Sequence, residues 1–415
     1  MERINNNPLL KANLPRSKTL RLGMNTLTRI VLCAYFILSI FEPYLNGMIG
    51  SLMKYYILIV ITVILIKAKG RIQLQLISKA YIVWLLFKIV SSLWSTNIAT
   101  VKLYFISQIG MVLFLVVLFS EPVDKKTIEW IIVCYWLSSA VLGLMSIFMS
   151  RSYMGVYSLR QVIVVAGVEI DPNNQAALLL VGIGISLVQI FFEKKYIIPA
   201  IIILLINSYG TFITGSRGGL VTIFAATLFV VMLPNKKQKI SQTIGRALFV
   251  IIVFIGIMTI AQRFVSSNTY NRLFSFDGYL AGSGRSVLWR LIWEEYTRDL
   301  IRILFGTGWG SYSRIVQIGA TGSAHNTFLT ILSDVGLIGF LLFIVPLWEM
   351  LKSMIQQRQQ LPIMLIIVQF IPAFFLDSIH KRFFWNAIFI LGLYYFSSKK
   401  ETTGLKNKDE DTSSD

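Results

Sequence analysis

Two histidines occur in the chain, His325 and His380. Imidazole is the side chain whose ordinary pKa lets it exchange protons near neutral pH. His325 sits in Ala324-His325-Asn326, where a long apolar run begins after an arginine-rich stretch. That position makes it a candidate general base, with Asn326 beside it as a ligand contact. His380, in Ser378-Ile-His-Lys-Arg382, reads as an interfacial anchor. Arg217 stands in Ser216-Arg217-Gly218-Gly219, and Arg285 follows Gly284. A guanidinium is planar, permanently charged, and binds phosphate or carboxylate through two parallel hydrogen bonds. Two glycines after a charged residue allow close backbone approach, which suits a tight turn and a substrate cradle equally.

Acidic residues are sparse near these cations. Glu169, Asp171, Asp277, Glu294, Glu295, Asp299 and Asp377 form no Asp-x-Asp pair, and the single such pair, Asp409 and Asp411, lies in the C-terminal tail. A divalent ion on a sugar diphosphate prefers clustered carboxylates, so metal-independent chemistry is expected. Asp334 follows His325 by nine residues, about 13 Å along a helix and on its opposite face. It therefore packs helices and does not orient the histidine. Gly306-Thr-Gly308-Trp-Gly310 lacks the later Gly-Lys-Ser/Thr of a phosphate loop, so it reads as a turn. Cys33 and Cys134 both lie in apolar runs and form neither a disulfide framework nor a thiolate metal site.

The elements that position these residues follow from composition. The 415 residues are 55% apolar and 14% charged, outside the range of about 45–50% and 25% for soluble domains. Disorder, collagen and disulfide scaffolds are excluded. Long apolar runs predict an all-α polytopic membrane protein with about 12 spans, at 29–49, 52–67, 77–94, 101–120, 127–149, 174–192, 196–214, 218–233, 245–262, 325–348, 361–378 and 382–398. The net charge of +19 would indicate a nucleic-acid partner in a soluble protein; here the positive-inside rule accounts for it.

With both termini cytoplasmic, the internal segments hold 24 of the 39 basic residues, 17 Lys and 7 Arg. External segments hold twelve, eleven Arg and Lys381. Topology requires cations inside but no arginine outside. The external excess points to an anionic ligand such as a phosphate or pyrophosphate; pairing with lipid head groups is the competing role.

Two expected external loops exceed the usual length of about 12–15 residues, 150–173 and 263–324. The second, before the last three spans, is partly helical. Ser286 to Phe305 is expected to form one helix on the membrane surface, with Arg290, Glu294, Arg298 and Arg302 as a ladder of ion pairs. The chain therefore divides into a basic cytoplasmic leader (1–28), five spans (29–149), a core with both loops (150–350), two last spans (351–398) and a disordered tail (399–415).

Four motifs now stand in order. Asp171-Pro-Asn173-Asn174 precedes one span, and Gly210-Thr-Phe-Ile-Thr-Gly-Ser-Arg217-Gly-Gly-Leu opens another. Gly284-Arg285 and Trp289 precede Leu304-Phe-Gly-Thr-Gly-Trp-Gly. His325-Asn326-Thr-Phe-Leu leads to Ser333-Asp334-Val-Gly336-Leu-Ile-Gly339. Together they resemble the bacterial O-antigen ligase and polysaccharide polymerase family over roughly residues 150–350; residues 1–150 match only in hydropathy. The resemblance implies a glycosyltransferase on the outer face of the bacterial cytoplasmic membrane. Its donor would be a glycan on undecaprenyl pyrophosphate, and it would need no metal, nucleotide or other cofactor. The acceptor would be a second lipid-linked repeat unit in a polymerase, building exopolysaccharide, capsule or O-antigen, or lipid A core in a ligase. Carried over are His325 as base, Arg217 and Arg285 as catalytic cations, and Arg160, chosen over Arg151, as a substrate contact. Asn173 is a further substrate-binding candidate, for which a helix cap is the competing and preferred role. Membrane lipids surround the chain, and a flippase and a chain-length regulator are the partners the family implies. A flippase or transporter is the reading from another class, weakened because Lys88 is the one obvious mid-span cation and no repeated halves are visible.

Overall fold

The computed structural model describes residues 16–121, 123–155, 158–232, 241, 244–248, 251–252, 255–256, 259, 263, 267–274, 285–316 and 323–412. The expected span 245–262, the loop 263–324 and the leader fall partly outside these residues. The helices run α1 Arg16–Ile49, α2 Leu52–Lys67, α3 Leu76–Ser91, α4 Ile98–Ser120 and α5 Lys125–Phe148. After a small sheet come α6 Pro172–Val188, α7 Ile197–Ile213 and α8 Arg217–Met232. Short helices α9 Ser267–Phe274, α10 Arg285–Tyr296, α11 Leu300–Phe305 and α12 Tyr312–Val316 precede α13 Thr327–Gln356, α14 Gln360–Ala373 and α15 Arg382–Thr412. Among the described residues, six helical stretches are long and apolar enough to cross a membrane. They are Gly23–Ile49, Leu76–Trp94, Ile98–Ser120, Lys125–Phe148, Pro172–Glu193 and Thr327–Gln356, and three shorter apolar helices accompany them.

α6 is the central pillar: every residue from Gln175 to Val188 is buried, as an all-round apolar helix requires. It packs on α5, α7, α8 and α14. Small residues bring these helices together. Asn207 of α7 fits against Gly143 and Gly182 and donates to Ser139 Oγ at 3.1 Å. Asn386 of α15 receives Tyr35 Oη at 3.2 Å and donates to Ser39 Oγ at 2.8 Å, fastening the last helix to the first.

Four expectations are corrected. The 150–173 segment is not loop but a three-stranded antiparallel sheet, β1 Ser150–Gly155, β2 Ser158–Val165 and β3 Val168–Glu169, in that order. Its Val162-Ile-Val-Val165 run favours strand through its β-branched side chains. Ala166 and Gly167, both at positive φ, turn β2 into β3. The surface helix divides into α10 and α11, because Asp299 caps the second at Arg302 N. The span after His325 is broken at Gly336, whose backbone (φ 66, ψ −172) is not helical. The tail stays helical to Thr412, and α1 begins at Arg16. A helix that already spans a bundle extends without a second nucleation cost.

The break at Gly336 is where the glycine turn docks. Gly306, Gly308 and Gly310 all have positive φ. Thr307 N and Gly308 N donate to the Ser333 and Asp334 carbonyls at 2.7 and 3.2 Å, and Gly310 N donates to Asp334 Oδ1 at 2.8 Å. Asp334 thus serves packing, by holding a turn against the interrupted helix. Trp309 is fully buried there, and Ser95 Oγ donates to its carbonyl at 2.6 Å.

Candidate active site

Five segments converge at one end of the bundle. β2 delivers Arg160, which is 7% exposed. The strand is pinned to α6 by Ile163 N, which donates to Gln175 Oε1 at 2.9 Å. Arg160 Nε donates to the Thr214 carbonyl at 2.7 Å, and its Nη2 donates to Asn173 Oδ1 at 2.9 Å. The helix cap at α6 is Asp171, not Asn173. Asp171 Oδ1 accepts from Asn173 N at 2.8 Å and Asn174 N at 3.2 Å, with Pro172 at the first helical position. Asn173 is thereby free of the capping role and orients Arg160.

The turn between α7 and α8 carries Arg217. Gly215 (φ 61) reverses the chain, and Ser216 Oγ accepts from Gly219 N at 3.2 Å. A Cβ at Gly218 would press on the Phe375 ring at 3.1 Å, and one at Gly219 would meet Thr211 Cγ2 at 2.8 Å. The glycine pair is therefore needed for packing as well as for the turn. Arg217 Nε donates to the Arg272 carbonyl at 2.9 Å, while Arg272 Nε returns a bond to the Gly215 carbonyl at 3.2 Å.

Arg272, on α9, has no motif of its own, and the sequence reading passed over it among the external arginines. Burial, reinforced by Arg217, lowers its proton affinity, against the pull of Asp171. Arg285 opens α10 and is lowered in the same way by burial and by Arg272 and Arg217, again opposed by Asp171. Arg217, Arg272 and Arg285 thus form one electrostatic group, on which Asp171 acts with the opposite sign.

His325 completes the group. Its backbone is left-handed (φ 49), uncommon outside glycine and frequent at functional sites. Trp289 Nε1 of α10 donates to the Ala324 carbonyl at 2.8 Å, fixing the preceding residue. Burial first, then Arg285, lowers the His325 pKa below its ordinary value; Asp171 opposes this weakly. The imidazole is therefore held neutral at neutral pH, the form that accepts a proton. Asn326 Oδ1 accepts from Phe328 N and Leu329 N at 3.1 and 3.0 Å, so it caps α13.

Other predicted residues lie apart. Arg290 pairs with Glu294, and Arg298 and Arg302 pair with Glu295, an ion-pair ladder on α10 and α11 away from the cluster. His380 stacks on Tyr104, with ring centroids 3.7 Å apart, and is not an exposed anchor. Lys88 is buried, donates to Gln108 Oε1 at 3.2 Å and lies over the Trp84 and Trp309 rings. Among the described residues, no three His, Cys, Asp or Glu side chains come together as a metal site would require.

Six apolar stretches of spanning length among the described residues mark a membrane protein, with the arginine–histidine cluster at one end of its bundle. Residues 200–344, about a third of the chain, match the family model described as O-antigen ligase. Over that stretch the chain is similar to the O-antigen ligase family, the family its motifs resemble. No curated protein matches the chain.

Proposed function

We propose that the protein polymerises lipid-linked oligosaccharide repeat units on the outer face of the bacterial cytoplasmic membrane. The observation that carries this is the convergence of Arg160, Arg217 and Arg272 on the Thr214–Arg217 turn, with Arg285 acting on Arg217, Arg272 and His325. The donor is a glycan on a polyprenyl pyrophosphate. An acceptor hydroxyl oxygen bonds to the anomeric carbon as the bond from that carbon to the pyrophosphate oxygen breaks. The electron pair leaves on the diphosphate, and the hydroxyl proton passes to the His325 imidazole. Attack opposite the leaving group inverts the anomeric centre. Negative charge grows on the diphosphate as the bond breaks, so fixed guanidiniums stabilise the transition state more than the ground state. No step calls on a metal.

A ligase that passes finished polymer to a lipid A core would use the same cluster with a different acceptor. Gel profiles of lipid-linked and surface glycans from a deletion strain separate the two. Single repeat units accumulating on the carrier, restored to a ladder by wild type and not by His325→Ala, mark a polymerase. Full-length polymer stranded on the carrier marks a ligase. The absence of both defects would return the flippase reading.

A further inference from the structure

His325 is followed by the cap residue Asn326 and by Thr327, the first residue of α13. Thr327 is fully buried. Its Oγ1 donates to the Leu376 carbonyl at 2.7 Å and accepts from Ser378 N at 2.7 Å. The segment gripped in this way is the turn between α14 and α15, 49 and 51 positions away in the chain. Threonine hydroxyls commonly bond their own local backbone. Here both functions of the hydroxyl are committed to one distant turn.

The same turn reaches the other flank of the histidine. Asp377 Oδ2 accepts from Tyr312 Oη at 2.8 Å. Tyr312 is buried in a small cluster with Ile292 and Ala324, the residue before His325. The Ala324 carbonyl also takes the Trp289 bond described above. His325 and Asn326 are therefore a short bridge between two fully buried ends, Ala324 and Thr327. Both ends lead to the 376–378 turn, one through Tyr312 and one through a pair of hydrogen bonds. Within the bridge, His325 N donates to Ser323 Oγ at 3.2 Å, and Asn326 Oδ1 caps α13. A left-handed backbone such as that of His325 costs about 1–3 kcal/mol and persists only where its surroundings over-determine it. The two buried ends supply that determination.

We propose that the Leu376–Ser378 turn, acting through the Thr327 hydroxyl, positions the His325 imidazole against the acceptor hydroxyl. The assignment rests on the reading of His325 as the base of glycosyl transfer. Thr327 is a positioning residue: it acts through His325 and not on the substrate. Proton acceptance needs a heavy-atom distance of about 2.6–3.2 Å. Misplacement by about 1 Å can cost on the order of 10²-fold in rate. The turn lies beyond residues 200–344, so this support for the histidine comes from outside the stretch that matches the family model.

The test uses the full-length protein in lipid nanodiscs, with the lipid-linked repeat unit extracted from a deletion strain as substrate. Thr327→Val keeps the side-chain shape and removes the hydroxyl; Thr327→Ser keeps the hydroxyl. Expected for Thr327→Val is a kcat lowered about ten- to hundredfold, with KM within about threefold of wild type. The acid limb should keep its midpoint, since His325 is still the base. Thr327→Ser should retain most of the wild-type rate. Added to His325→Ala, Thr327→Val should cause less than about twofold further loss, because nothing is left to position. Tyr312→Phe keeps the ring beside Ala324 and removes only the bond to Asp377. It should lower kcat in the same sense, and it carries the test if Thr327→Val does not fold. Wild-type kcat in the folded variants overturns the proposal, as does a KM that rises while kcat falls or an equal loss in the His325→Ala background. A fully active His325→Ala would instead sink the base reading. An inactive His325→Ala beside a normal Thr327→Val sinks the positioning role alone.

Discussion

Arg217 and Arg272 are tied to each other through main-chain oxygens, Arg217 Nε to the Arg272 carbonyl at 2.9 Å and Arg272 Nε to the Gly215 carbonyl at 3.2 Å. Each guanidinium is anchored on its Nε edge, and each also acts on Arg285. In these two bonds, main-chain carbonyls fix the orientation of guanidiniums that repel one another.

Replacing Arg217, Arg272 or Arg285 with Ala should lower polymer formation by about 10²–10³-fold, the usual effect of removing one preorganised charge donor. Arg217→Lys should also be impaired, because an ammonium cannot hold the Arg272 carbonyl and a phosphate with one planar fork. Turnover of extracted lipid-linked repeat units measures this. Full activity of Arg272→Ala would remove that residue from the site.

Arg290 gives the contrasting case. Its side chain is 68% exposed and meets Glu294 at 3.7 Å on the open face of α10. Exposed pairs of this kind contribute about 0–1 kcal/mol. Arg290→Ala should therefore keep near-normal glycan ladders and thermal stability, although it lies five residues from Arg285. A collapse of the ladder in this variant would mean that the α10 ladder contacts substrate.

The motifs Ser-Arg-Gly-Gly, Gly-Arg and His-Asn were legible because each combines a chemical group with the local signal that positions it: turn glycines, a helix start or a cap. Arg272 was not legible. It sits in an eight-residue helix, and its place beside Arg217 arises from a contact 55 positions away in the chain. The six spanning stretches found among the described residues followed from hydropathy, because an apolar run of that length admits few other structures. The sheet at 150–169 did not, since Val162 to Val165 show no polar alternation to mark a strand. Nor did the cap at Asp171 rather than Asn173, where two good capping residues two positions apart compete and only geometry decides. His380 looked like a surface residue, and its burial against Tyr104 is set by the packing of α4 beside the turn into α15.

The joint between the glycine turn and the broken helix should be intolerant of any side chain. An added Cβ at Gly336 would collide with the Leu304 carbonyl and the Gly306 amide, and one at Gly306 with the Asp334 carbonyl. Both positions also have positive φ, which costs an alanine about 1–3 kcal/mol before any clash. Gly336→Ala or Gly306→Ala should lower the detergent melting temperature and the yield of folded protein. Gly245→Ala, where nothing lies within 4 Å, is the matched control.

The acid limb of the pH profile follows from the environment of His325. A general base works in its unprotonated form, and burial together with Arg285 lowers its pKa below 6.5. The midpoint of the acid limb should therefore lie below the ordinary imidazole value of 6.5. Arg285→Gln removes the neighbouring positive charge and should move the limb upward toward the ordinary imidazole range, apart from its effect on donor binding. The same shift has a stability consequence of definite sign. Between the folded and the unfolded pKa the unfolded chain binds the proton more readily, so acid costs stability as pH drops below 6.5. His325→Ala should lose about 10²–10⁴-fold in rate together with the limb. A residual activity in His325→Ala that kept the same acid limb would assign the titrating group elsewhere.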